Sequence, residues 1–135
     1  MTKLKVLLVE DNAADAIIIK ELVKDTGITS SIVWLRDGES VIEHLQDDPA
    51  IDAIILDLNM PRLDGHALIE KLREQGVLNK TTVIVMTGSS SPIDRDRVRR
   101  AGINSYLIKP MGVREMDETV NALRSIFRSS RACRA

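Results

Sequence analysis

Five short apolar runs, four to six residues long and separated by stretches of helical period, constrain this chain more than anything else in it. They fall near Leu4 to Val9, Ile32 to Leu35, Ala53 to Leu56, Val83 to Met86 and Ser105 to Ile108. Runs rich in Val, Ile and Leu that alternate with helices are the pattern of a parallel sheet covered on both faces. Right-handed crossovers and short loops then favour a doubly wound α/β fold. For five strands, the flavodoxin-like order 2-1-3-4-5 is the expected solution, with helices on both faces of the parallel sheet.

The intervals support this. Ile18, Ile19, Leu22 and Val23 form one face of a first helix, with Asn12 or Asp11 available to cap it. Val41, Ile42 and Leu45 mark a short second helix, and Leu68, Ile69 and Leu72 a third that begins at Asp64-Gly65. The fourth interval, Ser91-Pro92-Ile93 to Ala101-Gly102, has Pro at its start and Gly after its end. Its apolar stripe is thin, so it is expected to pack least firmly. Met116, Val120, Leu123 and Phe127 repeat at the spacing of an amphipathic last helix. A chain of 135 residues fits one domain. The expected division is a domain over 1–127 and a short flexible tail over 128–135, with no attached effector domain.

Charge and cysteine usage narrow the function classes. A net charge of -1 gives no electrostatic case for nucleic acid or an anionic membrane, and three aromatic residues leave no stacking platform for bases. The apolar run after Met1 is too short for a signal peptide or a membrane span. The single Cys133 excludes an internal disulfide and fits a reducing, cytoplasmic compartment.

The strand ends carry the chemistry. Leu7-Leu8-Val9 gives way to Glu10-Asp11, Ala53-Ile54-Ile55-Leu56 to Asp57, Val83-Ile84-Val85-Met86 to Thr87, and Tyr106-Leu107-Ile108 to Lys109. In an open parallel sheet these carboxyl ends meet where ligands bind. Three crowded carboxylates repel one another and ask for a cation. Mg²⁺ suits the set formed by Glu10, Asp11, Asp57 and the backbone carbonyl of Asn59. A hydroxyl and an ammonium, Thr87 and Lys109, are what a phosphoryl group needs. With charge neutralised, Asp57 can attack phosphorus and become an acyl phosphate.

Taken together, Leu8-Val9-Glu10-Asp11-Asn12, Leu56-Asp57-Leu58-Asn59-Met60-Pro61 with Asp64-Gly65, Met86-Thr87-Gly88 and Ile108-Lys109-Pro110 resemble the motifs of response-regulator receiver domains, in order and spacing. The resemblance runs from Leu4 to Phe127 and is to stand-alone, CheY-like members. It implies that Asp57 accepts phosphate from a sensor histidine kinase or phosphotransfer protein, in two-component or phosphorelay signalling. It further implies that Glu10 and Asp11 help bind Mg²⁺, that Thr87 and Lys109 bind the phosphoryl group, and that Tyr106 is the rotating switch aromatic. A cis Lys109-Pro110 peptide is expected on the same ground. Phosphorylation in the family shifts the face made by the fourth helix, fifth strand and fifth helix toward a downstream protein, and that face also supports a homodimer. Gly88 departs from the family's more frequent Ala and loosens the loop expected to move.

Other readings fit less well. A haloacid-dehalogenase-type hydrolase resembles Asp-x-Asp after its first strand, whereas here position 59 is Asn and the nucleophile follows the third strand. Seven glycines form neither a dinucleotide fingerprint nor a P-loop. The chain is therefore read as a phosphoacceptor and not an enzyme; the alternative is a phosphorylation-independent scaffold or dimerisation module. His44 and His66 read as solvated helix surface, Trp34 as core. The run Arg95, Arg97, Arg99 and Arg100 reads as a charged face on the fourth helix.

Overall fold

Leu4, Val6 and Leu8 alternate with Leu7 and Val9 along the first strand, and the period of two sends each set into a different core. A computed structural model describes residues 3–61 and 63–130. In chain order its elements are β1 (Leu4–Val9), α1 (Ala13–Asp25), β2 (Ser30–Leu35), α2 (Gly38–Asp47), β3 (Ala53–Leu56), α3 (Gly65–Glu74), β4 (Thr82–Thr87), α4 (Pro92–Arg100), β5 (Ser105–Ile108) and α5 (Val113–Arg128). The five strands pair in parallel in the order β2-β1-β3-β4-β5, which is the predicted order. Residues Asn59–Met60 and Leu63–Asp64 add a two-residue antiparallel ribbon after β3.

One core lies between the sheet and α2, α3 and α4, and holds Leu7, Val9, Val41, Leu45, Ile54, Leu56, Leu68, Ile69, Leu72, Val85 and Val98. The other lies between the sheet and α1 and α5, and holds Val6, Leu8, Ala16, Ile19, Leu22, Ile55, Ile84, Leu123 and Phe127. Each fully buried side chain of this size stabilises the fold by roughly 1.5–3 kcal/mol. β3 is buried along its whole length, because it sits mid-sheet with a core on each face.

Caps set the helix starts. The Asn12 side chain accepts the N–H of Asp15 and starts α1, Asp64 accepts that of His66, and Ser91 accepts those of Ile93 and Asp94 ahead of Pro92. α4 buries Val98 alone among its residues, in keeping with its thin stripe, and Gly102 follows its end at φ +96°. Two expectations change. Ile18 faces outward and Ala16 takes its place in the core, since Ile18 lies about 100° of helix rotation from Ile19. The C-terminal helix takes in Arg128, and Ser130 is buried, so the chain is still packed where the tail was expected to begin. Cys133 and the rest of the predicted tail, 131–135, lie outside the described residues. Among the described residues no helix is long and apolar enough to cross a membrane.

Candidate functional site

The strand order places β1 between β2 and β3, so the chain leaves β1 in one direction and returns past it to build the other half of the sheet. Glu10 and Asp57 follow the two strands that flank this switch point. The Asp57 N–H donates to the Val9 carbonyl at 3.3 Å and the Glu10 N–H to the Leu35 carbonyl at 3.1 Å, so both residues prolong the sheet ladder and are rigidly placed. Lys109 follows β5 and donates its N–H to the Thr87 carbonyl at 2.8 Å.

At the centre of the site is the Lys109 ammonium. Nζ donates to Glu10 Oε1 at 2.7 Å, to Asp57 Oδ2 at 2.8 Å and to Asp15 Oδ2 at 2.8 Å. Burial works against its charge, but the bonds to Asp15, Asp57 and Glu10 outweigh it and raise its pKa. Glu10 is fully buried, and that burial, opposed by Lys109 and reinforced by the Asp57 charge, pushes its carboxyl up to about 7. Its second oxygen, Oε2, is buried with no hydrogen-bond partner. On Asp57, Oδ1 accepts the N–H of Asn59 at 3.2 Å, which orients the carboxylate from the turn below it.

The loop after β1 is strapped down by β2. Trp34 Nε1 donates to the Glu10 carbonyl at 2.7 Å and Arg36 Nη2 to the Asp11 carbonyl at 2.9 Å. Lys20 and Arg36 lie 4.9 and 5.0 Å from the Trp34 ring centre. Trp34, read as core, is only partly buried against it, and it also fixes the acidic loop.

The predicted metal set is only partly gathered. Among the described residues no three acidic side chains stand as ligands of one ion. Glu10 and Asp57 close instead on Lys109, the cation their charges meet first. The donors nonetheless fit a hard divalent ion, because Glu10 Oε2 is a buried carboxylate oxygen that the one ammonium leaves without a partner.

Thr87 is fully buried at the end of β4, and its Oγ1 accepts the Ser89 N–H at 3.3 Å. The Tyr106 hydroxyl donates to the Ser89 carbonyl at 2.8 Å, and burial raises the pKa of that phenol. Ser89 Oγ donates to Asp94 Oδ2 at 2.6 Å, while His66 Nε2 lies 3.0 Å from Asp94 Oδ1. These two contacts, Ser89 first, hold the Asp94 carboxyl below its ordinary range. His66 is therefore not solvated surface: its side chain is 11% exposed and bridges α3 to α4. Arg95 stacks 4.9 Å from the Tyr106 ring centre, and Arg99 and Arg100 pair with Asp96 on their own helix. An open cavity of ≈ 660 Å³ beside Tyr106 is walled by Ile93, Arg95, Arg99 and Ile103.

The peptide before Pro110 is trans, contrary to expectation, since the described residues contain no cis bond. The trans isomer is the intrinsically favoured one before proline, and the Lys109 N–H closes onto Thr87 without the other. The sequence reading also missed Asp15. Its helical spacing from Asp11, one turn along, was the available signal, but an acidic residue in a first turn is equally explained by the helix dipole.

The comparisons agree with this fold. The family model for the response regulator receiver domain matches residues 6–121. The chain is 34% identical over 127 residues to the probable methanogenesis regulatory protein FilR2 of Methanothrix harundinacea, covering 90% of this chain and 82% of that one. It superposes on the phosphorylated cyanobacterial phytochrome response regulator RcpA with a TM-score of 0.78 at 25% identity, covering 94% and 93% of the two chains. The Mn²⁺-bound response regulator Rcp1 gives 0.75 at 27% identity, with 93% and 92% covered. With a buried aspartate just past the third strand, an acidic pair just past the first and a lysine reaching across from the end of the fifth, the chain belongs to the response regulator receiver domains of two-component signalling.

Proposed function

We propose that Asp57 is the phosphoacceptor of a binding switch, with a sensor histidine kinase or phosphotransfer protein as donor. The observation that carries this reading is the 2.8 Å contact between Lys109 Nζ and a nearly buried Asp57 carboxylate at the switch point of the sheet. An Asp57 oxygen forms the O–P bond as the N–P bond to the donor's imidazole breaks. The imidazole nitrogen keeps the electron pair and takes a proton from solvent. Lys109 neutralises charge on the transferring group, and the Thr87 hydroxyl lies at the next strand end to receive one of its oxygens.

Glu10, Asp11, Asp57 and the Asn59 carbonyl would hold Mg²⁺, which supplies charge neutralisation when bound. Repositioning of Thr87 disturbs its contact with the Ser89 N–H, and the Ser89 carbonyl is what anchors the Tyr106 hydroxyl. Release of that anchor lets Tyr106 turn and changes the surface of α4, β5 and α5, where a downstream protein or a second copy docks. The phosphoryl group acts by binding one conformer better than the other.

Acetyl phosphate with Mg²⁺ tests this by intact mass. One added phosphate is expected on the wild type and none on Asp57→Ala. An unmodified wild type, or an equal adduct on the variant, overturns the reading.

A further inference from the structure

We infer that Asp15, on the first turn of α1, is a positioning residue for Lys109: it tethers the ammonium in the resting state and is the partner released when a phosphoryl group arrives. This rests on the phosphoacceptor reading of Asp57 and adds a residue to it.

An ammonium has three hydrogens to donate, and Lys109 spends all three on Glu10, Asp57 and Asp15. It therefore meets a phosphoryl oxygen only by giving up a carboxylate. The three are not equivalent. Glu10 is fully buried and already has one oxygen without a partner, so no water can take the place of the ammonium at Oε1. The Asp57 side chain is 6% exposed and is itself the group being modified. Asp15 is 37% exposed, so water replaces the ammonium there at low cost.

Asp15 is also held for this task from its own side. Its N–H is capped by Asn12 Oδ1 at 3.0 Å, which fixes the first turn of α1 against the loop that carries Glu10 and Asp11. The partners lie 94 residues apart, so the tether couples α1 directly to the end of β5. The tether is present in the resting conformer and absent from the phosphorylated one. Removing it raises the energy of the first and leaves the second unchanged, so affinity for a phosphoryl analogue rises.

Beryllofluoride titrated calorimetrically at saturating Mg²⁺ and high salt, where exposed charges are screened, is the test. The expected result is about a threefold gain in affinity for Asp15→Asn, the size of a partly exposed ion pair. Asp15→Glu should return toward wild type, and Glu21→Gln, an exposed charge further along α1, should leave affinity unchanged. Equal affinity for Asp15→Asn and wild type, or weaker binding by the variant, overturns the inference while leaving Asp57 as the acceptor. Failure of the wild type itself to bind, or binding retained by Asp57→Ala, overturns both readings.

Discussion

The hydroxyl of Tyr106 is anchored to the carbonyl of Ser89 at 2.8 Å, while the amide of the same serine is bound to Thr87 Oγ1 at 3.3 Å. One residue thus joins the hydroxyl at the end of β4 to the aromatic ring on β5, and both its backbone N–H and its carbonyl are in use. Neither Thr87 nor Tyr106 changes position without straining the Ser89 backbone.

Replacing Tyr106 by Phe removes this anchor and keeps the ring. A neutral hydrogen bond is worth about 1 kcal/mol net. The urea midpoint should fall by that equivalent, and Mg²⁺-dependent beryllofluoride binding should strengthen, because the conformer with the ring in its present place loses a bond. A variant with wild-type affinity would show that the hydroxyl does not hold the switch.

The side chain of Ser89 is held in turn by Asp94, and Asp94 by His66. The folded Asp94 carboxyl has a pKa below its unfolded value of about 4. Its contribution to stability is therefore fully present above that value and is lost as pH falls through the lower, folded one. Urea unfolding at pH 5 and pH 3 should show wild type losing more stability over this interval than Asp94→Asn. Equal losses would mean that the Ser89 and His66 contacts are not made in solution.

Gly65 opens α3 where there is no room for a side chain. A Cβ there would stand 2.6 Å from Leu58 Cα and 2.8 Å from the Asp57 carbonyl oxygen, and both obstacles are backbone. Gly65→Ala should destabilise the fold by roughly 1–3 kcal/mol, the usual cost of overpacking. Because the displaced segment carries Asp57, the rate of acetyl phosphate labelling should fall with it. Gly88→Ala is the contrasting case, since nothing lies within 4 Å of a Cβ at that position. It should be tolerated and stabilise by about 0.4–1 kcal/mol through the unfolded chain.

α4 holds to the sheet through one buried side chain, Val98, whereas α5 buries Thr119, Val120, Leu123 and Phe127. Amide hydrogen exchange should accordingly be faster in α4 than in α5. Val98→Ala should speed exchange across α4 while leaving α5 as it is. Global acceleration in both helices would indicate that α4 unfolds only with the whole domain.

Much of this arrangement is legible in the chain before folding. β1, β3 and β5 begin and end where the runs proposed for them do, because the apolar residues that face the two cores give way there to the polar strand ends. Asn12, Asp64 and Ser91 cap the helices that the apolar spacing proposes. Glu10, Asp57, Thr87 and Lys109 are readable because each interrupts or follows such a run. Ile18 shows the limit: two adjacent isoleucines are equivalent to a composition argument, and only the angle of α1 on the sheet chooses Ile19 for the core.

The positions of the strands and helices and the polar ends of the strands are thus determined by the sequence alone, since hydrophobic period and turn chemistry are local properties. The partners of those polar ends are decided by tertiary structure. Asp15 reaches Lys109, Trp34 straps the Glu10 carbonyl, and His66 meets Asp94, each across many residues of chain. Such contacts depend on which face of the sheet a helix covers and how far its axis is turned. An acidic residue in a first turn or a histidine beside a cap has the same local signature whether its partner is water or a buried charge.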